Sequence, residues 1–131
     1  MKKDIEIPIA KDVQVVAIRE WNEEFLSKDW NAYIINSRAD QIEMVMVVSK
    51  GFDDERQTTT MRHSMGTILP NEFKKIELLQ EDVLALDNEF FVTFFAEGKL
   101  FEKRFLFLKN TVTEKNLSTI PLIEKDGIFA E

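Results

Sequence analysis

Along most of the chain, apolar and polar residues alternate with period two in short runs separated by turn residues. This is the pattern of strands that bury one face. Val13, Val15 and Ala17, with Ile18 beside them, open a first strand, and Trp30-Asn31-Ala32-Tyr33-Ile34-Ile35 forms a second. After the polar turn Ser37-Arg38-Ala39-Asp40, the run from Ile42 to Val48 forms a third, rich in β-branched residues and Met. Gly51 to Gln57 reads as a charged loop and Thr58 to Met65 as a fourth strand. Gly66 and Pro70 bracket a turn, and Phe73 to Leu79 alternates again.

The clearest signal comes late, where Glu89 to Glu97 and Leu100 to Leu108 flank Gly98. A two-residue loop at Glu97-Gly98 or Gly98-Lys99 supplies the glycine that a tight primed turn requires. Either register puts Phe90, Val92, Phe94 and Ala96 on one face with Phe101, Phe105 and Phe107, interrupted by Lys103. The opposite face mixes Phe91, Thr93 and Phe95 with Leu100, Glu102, Arg104 and Leu106. Phe91, Phe95 and Leu106 are more apolar surface than a plainly solvated face carries, so this face is expected to be covered.

Two segments leave the period open. Ile18, Trp21, Phe25 and Leu26 fit helical spacing, so 19–27 reads either as a short helix or as a hairpin whose loop spans Asn22 to Asp29. Asn71 to Gln80 contains good helix formers, but Pro70 followed by a run ending Ile76-Glu77-Leu78 favours a strand after a turn.

About seven short strands at regular spacing, without the long helical crossovers of a parallel sheet, predict an all-β domain. An immunoglobulin-like sandwich is the expected architecture and a small β-barrel the alternative. The 131 residues are read as a single domain, with 1–11 and 110–131 as loose or edge-covering segments.

Composition narrows the partners. The chain carries 17 Lys+Arg against 24 Asp+Glu, a net charge of −7, which opposes binding to nucleic acid or an anionic membrane. No cysteine is present, so disulfides, thiolate metal sites and thiol nucleophiles are excluded. Asp4-Ile5-Glu6-Ile7-Pro8 breaks any apolar core behind Met1-Lys2-Lys3, and no run approaches the roughly 20 apolar residues of a spanning helix. A cytoplasmic location is expected.

Candidate chemistry is sparse. His63 is the single histidine, and its neighbour Ser64 points to the opposite face of a strand, so the two cannot pair as nucleophile and base. Ser27, Ser37, Ser49 and Ser118 lack a nucleophile-elbow glycine pattern. The four glycines are scattered, which excludes phosphate-cradling loops. The carboxylate runs Glu23-Glu24, Asp53-Asp54-Glu55 and Glu81-Asp82 read as solvated turns, and the second lacks the alternating spacing of a calcium loop. Met61, His63 and Met65 project from one face of a strand, with Met44 and Met46 doing likewise on another. Thioether and imidazole suit Cu(I), although methionines more commonly fill gaps in cores. Phe90-Phe91 and Phe94-Phe95 lie between Glu89 and Glu97 rather than among cations, so packing accounts for them better than base stacking.

Glu20-Trp21-Asn22-Glu23-Glu24-Phe25, Asp29-Trp30-Asn31-Ala32-Tyr33-Ile34-Ile35-Asn36, Thr60-Met61-Arg62-His63 and Asn88-Glu89-Phe90-Phe91-Val92-Thr93-Phe94-Phe95 together resemble a family of short uncharacterised bacterial proteins. Some similar sequences carry the name phenylalanyl-tRNA synthetase alpha subunit. The motifs of a synthetase core match no positions of this chain, so the resemblance transfers no catalytic residue, cofactor or tRNA partner. The expected function is a non-enzymatic interaction or binding module with no cofactor. Its partner is a protein or a second copy, met through Phe91, Phe95, Glu102, Arg104 and Leu106. A small-ligand or Cu(I) carrier using Met61, His63 and Met65 is the alternative, and an enzyme of unknown type the third reading.

Overall fold

The computed structural model describes residues 6–131, so the part of the N-terminal segment before Glu6 lies outside the described residues. Nine strands are present among them: β1 (Val13–Asn22), β2 (Ser27–Asn36), β3 (Ile42–Phe52), β4 (Met61–Ile68), β5 (Glu72–Leu79), β6 (Asp87–Ala96), β7 (Lys99–Phe107), β8 (Ser118–Ile120) and β9 (Lys125–Phe129). One short helix, α1 (Glu81–Leu84), precedes β6, and a 3-10 turn spans Glu114–Asn116.

The strands form two antiparallel sheets, β5-β2-β1-β9-β8 and β4-β3-β6-β7, and neither closes into a barrel. The chain crosses between sheets after β2, after β4, after β5 and after β7, and β2 pairs with β5 and β3 with β6. That Greek-key order is the immunoglobulin-like sandwich. Two strands exceed the expected seven because residues 118–129 form the hairpin β8-β9, which joins the five-stranded sheet on β1.

Alternation decides the core. Val13, Val15 and Ala17 from β1, Ala32 and Ile34 from β2, Val45 and Val47 from β3, and Phe90, Val92 and Phe94 from β6 meet between the sheets. Phe105 and Phe107 complete it from β7, and Phe90 meets Phe107 edge-on at 5.7 Å between ring centroids. The β6-β7 turn has Glu97 and Gly98 at positive φ (53° and 72°) with Ala96 opposite Lys99, the primed turn that matches strand twist. Phe101 stacks on Phe94 at 5.5 Å, and the Arg38 guanidinium sits 5.1 Å above the Phe101 ring. Lys103, the charge that interrupts this face, lies on the edge strand and lays its ammonium 4.8 Å from the Phe105 ring centre.

One local expectation is corrected, at the fourth strand, and two segments left open by the sequence are resolved as strands. Residues 19–27 form a β1-β2 hairpin, not a helix: Asn22 Oδ1 accepts from the Glu24 and Phe25 amides, and Trp21, Phe25 and Leu26 are exposed. The fourth strand begins at Met61 rather than Thr58. Gly66 lies inside it at φ 69°, where the β3-β4 register shifts, and the turn falls at Pro70-Asn71. Phe73, Ile76 and Leu79 fit no single period because β5 carries a bulge where Ala32 faces Glu77 and Tyr33 faces Lys75.

A second, smaller cluster lies on the outer face of the five-stranded sheet, where Val16, Ile18 and Ile35 pack under Ile120, with Tyr33 and Ile123 alongside. Buried Asn36 ties the two sheets together. Its amide donates to the carbonyls of Asp40, Ile68 and Leu69, and its carbonyl accepts from the Arg38 amide. The free edge of β7 is occupied at both ends: the Glu102 carbonyl accepts from the Ala10 amide and the Glu102 amide donates to the Pro8 carbonyl, and Leu106 and Glu131 bond reciprocally at 2.9 and 3.0 Å.

Candidate functional site

Met61, His63 and Met65 lie on β4, the edge strand of the four-stranded sheet. His63 sits opposite Val47 and Met61 opposite Ser49, both of which face the core, so this side of β4 looks into the gap between sheets. Met65 packs against the core, whereas Met61 is half exposed at the mouth of a cavity. Met44 and Met46 do not join them. Met46 pairs with Thr93 on the outer face, and Met44 protrudes from a bulge at φ 51°.

The gap contains a partner that sequence reasoning did not single out. Glu77 on β5 turns inward, and its Oε1 accepts a hydrogen bond from Ser49 Oγ at 2.5 Å. His63 Nε2 lies 2.8 Å from the same oxygen. Both Glu77 and His63 are largely buried, with 16% and 20% of their side-chain surfaces exposed. The bulge in β5 is what brings Ile76 and Glu77 together toward the interior, and a bulge leaves almost no mark in a sequence. The one available signal was Glu77 standing between apolar Ile76 and Leu78.

Ser49, His63 and Glu77 are the residue types of a hydrolase triad in the wrong order. The carboxylate sits between hydroxyl and imidazole, so the imidazole is not bonded to the would-be nucleophile and cannot take its proton as in a triad. What the arrangement does offer is a desolvated carboxylate at the side of a cavity of about 420 Å³. Thr58, Gln80 and Asn88 contribute polar walls and Met61, Leu78 and Val83 apolar ones.

Phe91, Phe95, Glu102, Arg104 and Leu106 share the outer face of β6 and β7, as their alternation requires. Phe95 is 40% exposed and the neighbouring Met44 70%. Residues 110–131 do not cover this face: Ile120 packs on the other sheet, Ile128 enters the core, and Leu122 and Phe129 are exposed. Residues 7–9 instead run beside it, and Ile7 and Ile9 share a shallow depression with Phe91, Glu102 and Arg104. Arg104 already forms an ion pair with Glu89 of its own chain.

The remaining acidic runs are structural or solvated. Asp53 Oδ1 accepts from the Glu55 and Arg56 amides and Oδ2 meets the Arg56 guanidinium; those backbone and side-chain bonds hold its carboxyl below the usual range. Glu23 and Glu24 lie in the β1-β2 turn and Glu81 and Asp82 in the first turn of α1, all exposed. Among the described residues, no group of three or more His, Asp or Glu could hold a metal ion. On the outer face of the five-stranded sheet, Glu20 accepts from Tyr33 Oη, Asn31 Nδ2 and Lys125 Nζ. Burial raises the Glu20 carboxyl, and these three donors outweigh it and bring it below its ordinary value. Burial and the same carboxylate push the Tyr33 phenol well up.

Against family models, curated proteins and solved structures, the chain shows no match. No helix among the described residues is long and apolar enough to cross a membrane.

Proposed function

We propose that the protein is a non-enzymatic binding module of the cytoplasm that pairs with a second copy of itself through the outer face of β3, β6 and β7. The supporting observation is the apolar strip of half-buried Phe91, Leu106 and Met46 with exposed Phe95 and Met44. Isolated exposed apolar residues are ordinary, but a contiguous strip on one sheet face favours a partner. The strip is bordered by both signs of charge, with Glu43, Glu89 and Glu102 against Lys50, Arg62 and Arg104. Such a face is complementary to itself, and a two-fold axis through it would bring Glu102 of one copy toward Arg104 of the other. Arg104 retains donors for this, because its guanidinium has five N–H groups and its side chain is 69% exposed.

The absence of catalysis in this reading is supported by the order of Ser49, Glu77 and His63, which keeps the imidazole base away from the hydroxyl. Sedimentation equilibrium over a concentration series tests the pairing. A dimer that dissociates in both Phe91→Glu and Phe95→Glu is expected. It should also tighten with moderate salt, since a charge of −7 on each copy repels the other. A monomer at tens of micromolar, unchanged by either substitution, would overturn the reading.

A further inference from the structure

We propose that the gap between β4 and β5 binds a small organic cation, an alkylammonium group whose charge is met by Glu77. The site lies between the sheets and is independent of the outer face assigned to self-association.

Glu77 is the starting point. Its side chain is largely withdrawn from water, and a buried carboxylate is costly unless a counter-charge or full hydrogen bonding offsets the lost hydration. Among the described residues, no Lys or Arg is in ion-pair range of it, and His63 is its only basic neighbour. The imidazole lies in hydrogen-bond range of one carboxylate oxygen, and Ser49 donates to the same oxygen. Lys50 borders the cavity, but its ammonium is directed to Glu89 at 3.7 Å and to the Phe52 ring. The carboxylate is therefore oriented by His63 and Ser49, and no Lys or Arg among the described residues compensates its charge.

The cavity of about 420 Å³ beside it has the volume for a ligand of several heavy atoms. Its chemistry selects the class. An anion would be repelled by Glu77, and a neutral molecule would leave the charge unbalanced. A hard metal ion needs several oxygen ligands, whereas the gap offers one carboxylate. Cu(I) would need several soft ligands at the cavity, whereas only Met61 of the Met61, His63 and Met65 set lines it and Met65 packs against the core. An alkylammonium satisfies each requirement: its N–H groups meet Glu77 and the Thr58 hydroxyl side of the cavity, and its chain lies against Met61, Leu78 and Val83.

The single histidine gives a direct reporter, since one imidazole contributes one set of ring resonances. Proton NMR of the full chain is followed while butylammonium chloride is added at fixed pH and ionic strength, with sodium butyrate as the control. The expected result is a saturable His63 shift with a Kd of about 1 mM or tighter, and none with butyrate. Glu77→Gln should weaken binding at least about tenfold with the amide spectrum still folded, since the counter-charge is removed. If that variant does not fold, Gln80→Trp closes the mouth from an exposed position and should abolish the shift while His63 and Glu77 remain. A His63 resonance that does not move, that moves equally with butyrate, or that responds alike in the folded variants would overturn the proposal. A response to Cu(I) under anaerobic conditions where butylammonium gives none would overturn it in favour of a Met/His metal carrier.

Discussion

His63 and Glu77 meet across the gap between the two sheets, with Nε2 2.8 Å from Oε1, although β4 and β5 belong to different sheets. The pair sits on the open side of the sandwich, joined by the turn at Pro70-Asn71, and Ser49 from β3 completes it. A polar cluster at a sheet-to-sheet seam is bound to both layers, so its members should act together. In a double-mutant cycle of His63→Ala and Glu77→Ala, a coupling of about 0.5–3 kcal/mol is expected. Urea denaturation at neutral pH measures it, and strict additivity would mean the two side chains are merely neighbours.

Glu20 and Tyr33 form a second coupled pair, and here the direction with pH follows from the shifts. The phenol is raised above its ordinary value, so its contribution to stability is complete below about pH 10 and fades as pH rises through the folded value. The Glu20 carboxyl is lowered, so its contribution is present above about pH 4.3 and is lost as pH falls through the folded value. Tyr33 is the only tyrosine, so phenolate absorbance reports it alone. In alkaline titration the phenolate should appear well above pH 10 in the wild type and at lower pH in Glu20→Gln.

Phe94 and Phe95 are adjacent in sequence and opposite in environment, the first fully buried and the second 40% exposed. Phe94→Ala should cost about 3–5 kcal/mol, as large-to-small core changes do. Phe95→Ala should fall within about 0.5 kcal/mol for the monomer, measured at dilution. Denaturant midpoints for the two variants test whether the alternation of β6 is as strict as its register.

Gly127 in β9 has no room for a side chain. An added Cβ would lie 2.5 Å from the Ala17 carbonyl oxygen and 2.6 Å from Ile18 Cδ1. Gly127→Ala should therefore push β9 from β1 and destabilise the chain by about 1–3 kcal/mol. Gly98→Ala meets no atoms but holds φ 72°, so its cost should be conformational and smaller, about 1 kcal/mol. Thermal melts of the two variants separate steric from backbone effects.

Arg38 clamps the β2-β3 crossover to the tip of the β6-β7 hairpin. Its guanidinium bonds both Asp40 oxygens, at 2.8 and 3.2 Å, and lies over Phe101. The Asp40 hydrogen bonds raise the guanidinium and lower the carboxyl. Arg38→Lys keeps the charge but loses the planar fork and the stacking, and should cost about 1 kcal/mol or more by urea denaturation.

The sequence by itself determined the buried face of β1 and both faces of β6 and β7, because period-two alternation needs only the covalent geometry of an extended chain. It also determined the β6-β7 turn, since Gly98 follows Glu97 where a primed turn needs positive φ, and it favoured a sandwich over the barrel that the two open sheets exclude. Tertiary structure decided the rest. Residues 118–129 became strands because the edge of β1 and the outward Val16 and Ile18 needed partners, a demand that Ile120, Gly127 and Ile128 meet only when brought there. Trp21, Phe25 and Leu26 fit a helical stripe on paper, yet Asn22 folds the backbone into a hairpin and leaves them in solvent. The candidate site was hidden for the same kind of reason. Glu77 faces inward through one extra residue in β5, and His63 finds it through a turn between two sheets. A bulge reverses the side to which every later residue points, at no cost in composition or pattern, so only the folded chain could show which carboxylate met the histidine.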